Sequence, residues 1–260
     1  MRFAFRTIMS AALMIGSALA LSAALPGIAR AACTDLPDHS ALKTALGDVV
    51  TSGGNAGLGN EMWATIVDRD GVVCAVAFTG GALGDQWPGS RVISAQKANT
   101  GNAFSLPSGA GFGGALSSGN LYGTVLEGGS LLGLQFSNPV DPAVAYAGDA
   151  TDYGTAGDPL VGVKIGGINV FGGGLALYDG SELLGGLGVS GDTSCTDHVV
   201  AWRVRDALGI DDVPGGVSAT GDDNLIIRNN PKPNTFEHPD CGGGVKQIIA
   251  NLPSNFPIGD

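Results

Sequence analysis

Apolar residues recur at Leu42, Ala45, Leu46, Val49 and Val50, a three–four spacing that predicts an amphipathic helix over residues 38–50. Asp38 is placed to cap its start and Gly53-Gly54 to end it. The stretch MWATIVDRDGVVCAVAF, residues 62–78, then switches to two β-rich runs around Asp68-Arg69-Asp70-Gly71. That is the pattern of a hairpin. After a loop over residues 80–89, Val92, Ala95, Gln96 and Asn99 fall at helical spacing in a second helix of about residues 91–104. Residues 105–167 lose periodicity. Gly, Ser, Asn and Asp dominate there, interrupted by apolar pieces such as LLGLQF, without an internal repeat. The stretch is too apolar for a disordered linker and predicts an ordered insertion with short strands. A second hairpin follows: a strand ending near Tyr178, a turn at Asp179-Gly180 and a strand over residues 182–189. The last helix spans residues 195–208 and carries Val199, Val200, Trp202 and Leu208.

Helix, hairpin, helix, insertion, hairpin, helix is the order of an α+β domain. Hairpin connections imply an antiparallel sheet of about five strands, with helices packed on its faces. The domain covers residues 32–209, with the Gly-rich insertion at about 105–167, and a tail over 210–260 packs on it. Residues 1–31 stand apart. Arg2 and Arg6 precede an apolar run from Ile8 to Leu25, and Ala29-Arg30-Ala31 offers a small-x-small cleavage pattern. This reads as a secretory signal peptide. An uncleaved membrane anchor is the alternative for so long a run, and Pro26-Gly27 with the cleavage pattern favours removal.

The chain has a formal charge of −11, and its leader carries three arginines and no acid, so removal makes the rest more acidic still. Such a balance excludes nucleic acid and anionic membrane as partners, because both need clustered Lys and Arg. The cysteines, Cys33, Cys74, Cys195 and Cys241, all follow the leader. An even number in an exported chain predicts two disulfides with three possible connectivities. We expect Cys195–Cys241, tying the tail to the body, and Cys33–Cys74, tying the N-terminus to a strand. No C-x-x-C is present, so zinc and redox motifs lack support.

Four local patterns resemble the GlcG/HbpS-like haem-binding proteins, relatives of which are fused to corrinoid-utilisation enzymes. IVDRDGVV is similar to the family's Val-Val-Asp-x-x-Gly turn, and AQKANT, residues 95–100, to its Lys-Ala-x-Thr helix. GGLALYDGSELLGGLGVSG, residues 173–191, resembles its Gly-Gly-Val-Pro-Leu hairpin ending in Gly-Val-Ser-Gly. Asp197 followed by Ala201 resembles its Asp-x-x-x-Ala helix start. Ala176 replaces the usual proline, Phe78-Thr79-Gly80 replaces Arg-Met-Asp, and the insertion exceeds the compact family form. These departures bear on ligand identity more than on fold.

The resemblance implies an exported, periplasmic or secreted protein that binds haem without covalent attachment and sequesters, carries or senses it as a homo-oligomer. His39 and His198 are the iron-ligand candidates, since imidazole beside a carboxylate can ligate a metal; a surface helix histidine is the plainer reading of each. Lys97 is a candidate partner for a propionate or for Asp68, with Thr100 one turn along. Ser190 and Gly191 lead into a helix start whose N–H groups suit an anion, although Asp192 would repel one and Ser194 or Thr196 could simply cap the helix. His238, Met62, Tyr122, Tyr146, Tyr153 and Tyr178 are further possible ligands, with Met62 reading as strand core. Gly185, Gly186 and Gly188 let something approach the backbone closely: a helix, a second subunit or a flat ligand.

An enzyme is the less expected reading. Ser190, His198 and Asp197 offer triad residue types, but adjacent Asp and His side chains diverge on a helix, and Gly-x-Ser-x-Gly is missing. Two other readings remain open: an enzyme or accessory protein for a small hydroxy acid such as glycolate, using Lys97 and Asp68, and a non-catalytic assembly module.

Overall fold

The computed structural model describes residues 33–107 and 113–259; the expected leader lies outside the described residues. Asp38 caps α1 (His39–Ser52), its side chain accepting the Ala41 N–H at 2.9 Å. Strands β1 (Trp63–Asp68) and β2 (Val73–Phe78) form the first hairpin, and α2 (Ser90–Ala103) follows. Two one-turn helices, α3 (Leu134–Ser137) and α4 (Pro142–Ala145), lie in the insertion. Then come β3 (Gly174–Asp179), β4 (Glu182–Ser190) and α5 (Ser194–Ala207). The tail holds β5 (Ile226–Arg228), β6 (Glu237–Pro239) and α6 (Val245–Asn255).

The main sheet has the order β2-β1-β4-β3 with every neighbour antiparallel. It therefore has four strands where about five were expected, and the tail adds a separate parallel pair, β5–β6. Strand alternation divides the core in two. Ala64, Ile66, Leu187 and Val189 face α1, α5 and α6. Trp63, Val67, Val73 and Val76 face α2 and part of the insertion. Among the described residues no helix is long and apolar enough to cross a membrane.

The insertion departs from the expected short strands. Its described residues form turns, α3, α4 and 3₁₀ turns, with isolated bridges from Ala115 to Gly216 and from Val140 to Gly166. Glycines at positive φ, such as Gly133, Gly148, Gly154 and Gly162, keep breaking any extended run. Carboxylates take the local N–H groups instead: Asp141 accepts from Ala143, and Asp149 from Thr151. The segment is anchored by Asp158, which takes a two-pronged bond from the buried Arg91 of α2 and further bonds from Gly154 and Leu160 N–H. The tail is anchored likewise. Arg205 of α5 pairs with Asp223 through two bonds of 2.8 Å, and Trp202 Nε1 donates to Phe256 O at 3.0 Å. Disulfides join Cys33 to Cys74 and Cys195 to Cys241.

The glycines of β4 answer to helix packing. A Cβ at Gly188 would overlap the Ser94 carbonyl, and one at Gly186 the Ala98 carbonyl, both on α2. Without side chains there, α2 lies directly on the sheet backbone. Gly47, in α1, has open space around its Cβ position. Ala at position 188 is therefore expected to destabilise by about 3 kcal/mol through overpacking. Gly47→Ala is expected to stabilise by roughly 0.5–1 kcal/mol through helix propensity. Urea midpoints of the two variants check both signs at once.

Candidate functional site

The close approach of α2 to β4 brings Lys97 to the end of the sheet, where α5 begins. Lys97 Nζ donates to Asp197 Oδ2 at 2.6 Å and to Val189 O at 3.1 Å. The other carboxylate oxygen of Asp197 accepts the N–H groups of Gly191 and Asp192 at 3.1 and 2.9 Å. Both side chains are buried. Burial lowers the Lys97 pKa and pushes that of Asp197 up to about 6, while the attraction between them works against both shifts.

A pocket of about 340 Å³ opens beside this pair. Lys97, Asp197, Ser190, Asp192 and Ser194 supply its polar lining, with Ser90 and Ile93 from α2. Trp87 and Phe171, 53% and 48% exposed, flank it. The Asp192 carboxylate is engaged by Leu58 and Asn60 N–H across the adjoining loop. Thr193, rather than Ser194 or Thr196, caps α5 and accepts the Thr196 N–H.

The structure thus brings together Lys97, Ser190 and Gly191 from the expected set, and keeps the others away. His39 is part of α1, and its Nε2 donates to Gly154 O at 2.9 Å in the insertion. His198 is fully buried below the pocket, 6.2 Å from the Trp202 ring, and neither ring nitrogen completes a hydrogen bond. Thr100 Oγ1 donates to Gln96 O and accepts from Asn169 N, which pins the chain before β3. Asp68 does not pair with Lys97 but closes its own turn, accepting from Asp70 and Val72 N–H. The convergence on a small acid expected of those two side chains is therefore absent.

Met62 is core, as expected. Tyr178 is buried with its hydroxyl on Leu106 O at 2.8 Å, and burial raises its pKa. Tyr153 stacks under the Arg91 guanidinium, Tyr146 is exposed, and Tyr122 packs beside His238 with ring centroids 5.3 Å apart. Sequence reasoning missed Trp87 and Phe171, because an isolated aromatic in a loop carries no periodic signal. It also ranked His238 low, yet this buried side chain reaches Ser194 at the pocket, Nε2 to Oγ 3.0 Å.

Haem iron takes its axial ligands from His, Cys, Met or Tyr, and among the described residues none of these lines the pocket. Lys97 is already neutralised by Asp197. The lining offers apolar flanks and no iron ligand.

Burial pushes the His198 pKa down to about 3, helped by the charge of Arg205, and that of His238 down to about 4. A histidine whose folded pKa lies below its unfolded value contributes stability above pH 6.5, lost as pH falls toward the folded value. Each contributes a slope of about 1.4 kcal/mol per pH unit in that window. Asp197 works in the opposite sense between pH 6 and 3.8, offsetting one of the two. Thermal midpoints are therefore expected to drop between pH 6 and 4, and to drop less steeply in His198→Leu, which removes the unpaired nitrogens. An equal slope in both proteins contradicts this.

No curated protein is significantly similar in sequence. Among solved structures, Klebsiella pneumoniae protein ORFY is 19% identical, over 66% of this chain and 90% of that one, with a TM-score of 0.44. A PduOC:heme complex is 21% identical over 65% and 89%, with a TM-score of 0.43. A double mutant of Streptomyces reticuli HbpS is 15% identical over 75% and 98%, with a TM-score of 0.44. A family model described as haem degrading protein HbpS-like matches residues 41–205, from α1 through the sheet and insertion into α5. With well over half its length matched, the chain belongs to the HbpS-like family.

Proposed function

We propose that this protein binds haem or a related tetrapyrrole in the pocket between Trp87 and Phe171, and serves to sequester, carry or sense it outside the cytoplasm. The observation that carries the reading is the pair of half-exposed aromatic side chains flanking a cavity of ligand size. Membership of a family whose description names haem supports the ligand class. The two disulfides and the leader expected at residues 1–31 support an oxidising compartment. Exposed Leu132 and Phe136 in the insertion favour self-association into a homo-oligomer.

Binding in this reading rests on the ring of the ligand. The amides near the start of α5 are already engaged: Gly191 and Asp192 donate to Asp197, and Thr196 to Thr193. Lys97 holds Asp197. Little positive potential is left for a propionate, and His39 and His198 stand clear of the lining. Metal-free protoporphyrin is therefore expected to saturate the protein with a Kd within about threefold of that for haemin, since no bond to iron separates them. Trp87→Ala and Phe171→Ala are each expected to weaken both about tenfold, the worth of one aromatic contact. His39→Ala should leave the haemin Soret titration unchanged. Saturation by haemin alone, or loss of the Soret shift in His39→Ala, would place the ligand on iron-ligating residues elsewhere.

A further inference from the structure

The tail returns to the pocket through His238, and there it meets Ser194, the first residue of α5. We propose that Ser194 is an activated nucleophile with His238 as its base, and that the pair catalyses acyl transfer from small neutral esters seated between Trp87 and Phe171.

The geometry around the imidazole assigns its protons. His238 Nδ1 lies 2.8 Å from Pro239 O. A carbonyl oxygen only accepts, so Nδ1 carries the hydrogen and Nε2 keeps a lone pair. That lone pair faces Ser194 Oγ at 3.0 Å, within reach for taking the hydroxyl proton. The Pro239 carbonyl holds the ring in this tautomer, the orienting part that a carboxylate plays in a triad. Three further restraints fix the ring. It packs against Tyr122, β6 pairs with β5, and the Cys195–Cys241 disulfide clamps the tail to α5 three residues beyond His238.

Ser194 lines the pocket, and its side chain is only partly buried. It is the first residue of α5, so its position is fixed by a helix of 14 residues. The lining also selects the substrate. With Lys97 paired to Asp197 and Asp192 alongside, a carboxylate gains nothing there, whereas an apolar acyl group meets Trp87, Ile93 and Phe171.

In the reaction, Ser194 Oγ bonds to the ester carbonyl carbon while its proton passes to His238 Nε2. The carbon–oxygen bond to the alcohol breaks, and the alcohol leaves with that proton. Water, deprotonated by the same nitrogen, then releases the acid and restores Ser194. The Ser190, His198 and Asp197 set considered from sequence cannot do this. His198 is sealed in the core and Asp197 is held by Lys97.

The test is covalent labelling of the disulfide-bonded protein with a fluorophosphonate probe, located by peptide mass spectrometry, and it requires no haem. One adduct per chain on Ser194 is expected, absent in Ser194→Ala. Labelling is expected to slow by at least a hundredfold in His238→Gln, the general-base contribution. The acetate ester of p-nitrophenol should then turn over with a burst of one equivalent. Because the adduct is located in the unaltered protein, the result stands even if a variant folds poorly. No adduct, an adduct on other serines, or a rate unchanged in folded His238→Gln would overturn the assignment. Each of these outcomes leaves the haem titrations above unaffected.

Discussion

Lys97 and Asp197 come from helices on opposite faces of the sheet, and their contact at the end of β4 ties the two half-cores together. Neither charge is tolerable there alone. An unpaired ion in such surroundings costs several kcal/mol, so removing either partner is far worse than never having had the pair. The carboxylate also gathers the N–H groups of Gly191 and Asp192, which fixes the turn from β4 into α5. Ser190, Asp192 and Ser194 on the pocket wall lie in or beside that turn.

The pair can form only because the backbone around it is bare. A Cβ at Gly174 would overlap the Lys97 carbonyl, and one at Gly173 would press on Asp197 and Val189. Glycine brings α2 down onto the sheet, the lysine then reaches past β4, and α5 starts where the lysine ends. The pocket is the space left above that junction, closed at its sides by aromatic residues from two loops. Its chemistry follows: one cation already neutralised, two carboxylates already bonded, apolar flanks, and a serine joined to a histidine from the tail.

Much of this was legible in the sequence. The two hairpins show as β-rich runs around their turns, and α1, α2 and α5 show in hydrophobic spacing because each packs on the sheet. The family resemblance carried by the Lys97 helix and the β3–β4 hairpin agrees with the family match over residues 41–205. The insertion was misjudged because its short apolar pieces look like strands locally, whereas glycines at positive φ and aspartate-capped turns decide otherwise. Helix α6 went unread although Val245, Ile249 and Leu252 carry its buried stripe; the glycines before it and Pro253 within it mask the pattern.

The site was less legible than the fold. Lys97 and Asp197 lie 100 residues apart, and no local pattern says that they touch. His198 looked like a ligand because it sits beside Asp197, but successive side chains on a helix point apart, and it turns into the core. His238 looked like a loop residue until the disulfide at Cys241 brought it to α5.

The central claim is that the pocket exists because Lys97 and Asp197 are coupled. A double-mutant cycle with Lys97→Met, Asp197→Asn and the combined variant, read by urea unfolding, tests it directly. Each single change is expected to cost about 3–5 kcal/mol by stranding its partner, and the double change to cost at least about 2 kcal/mol less than their sum. Additivity within about 0.5 kcal/mol would show that the two side chains do not depend on each other, and would contradict the account.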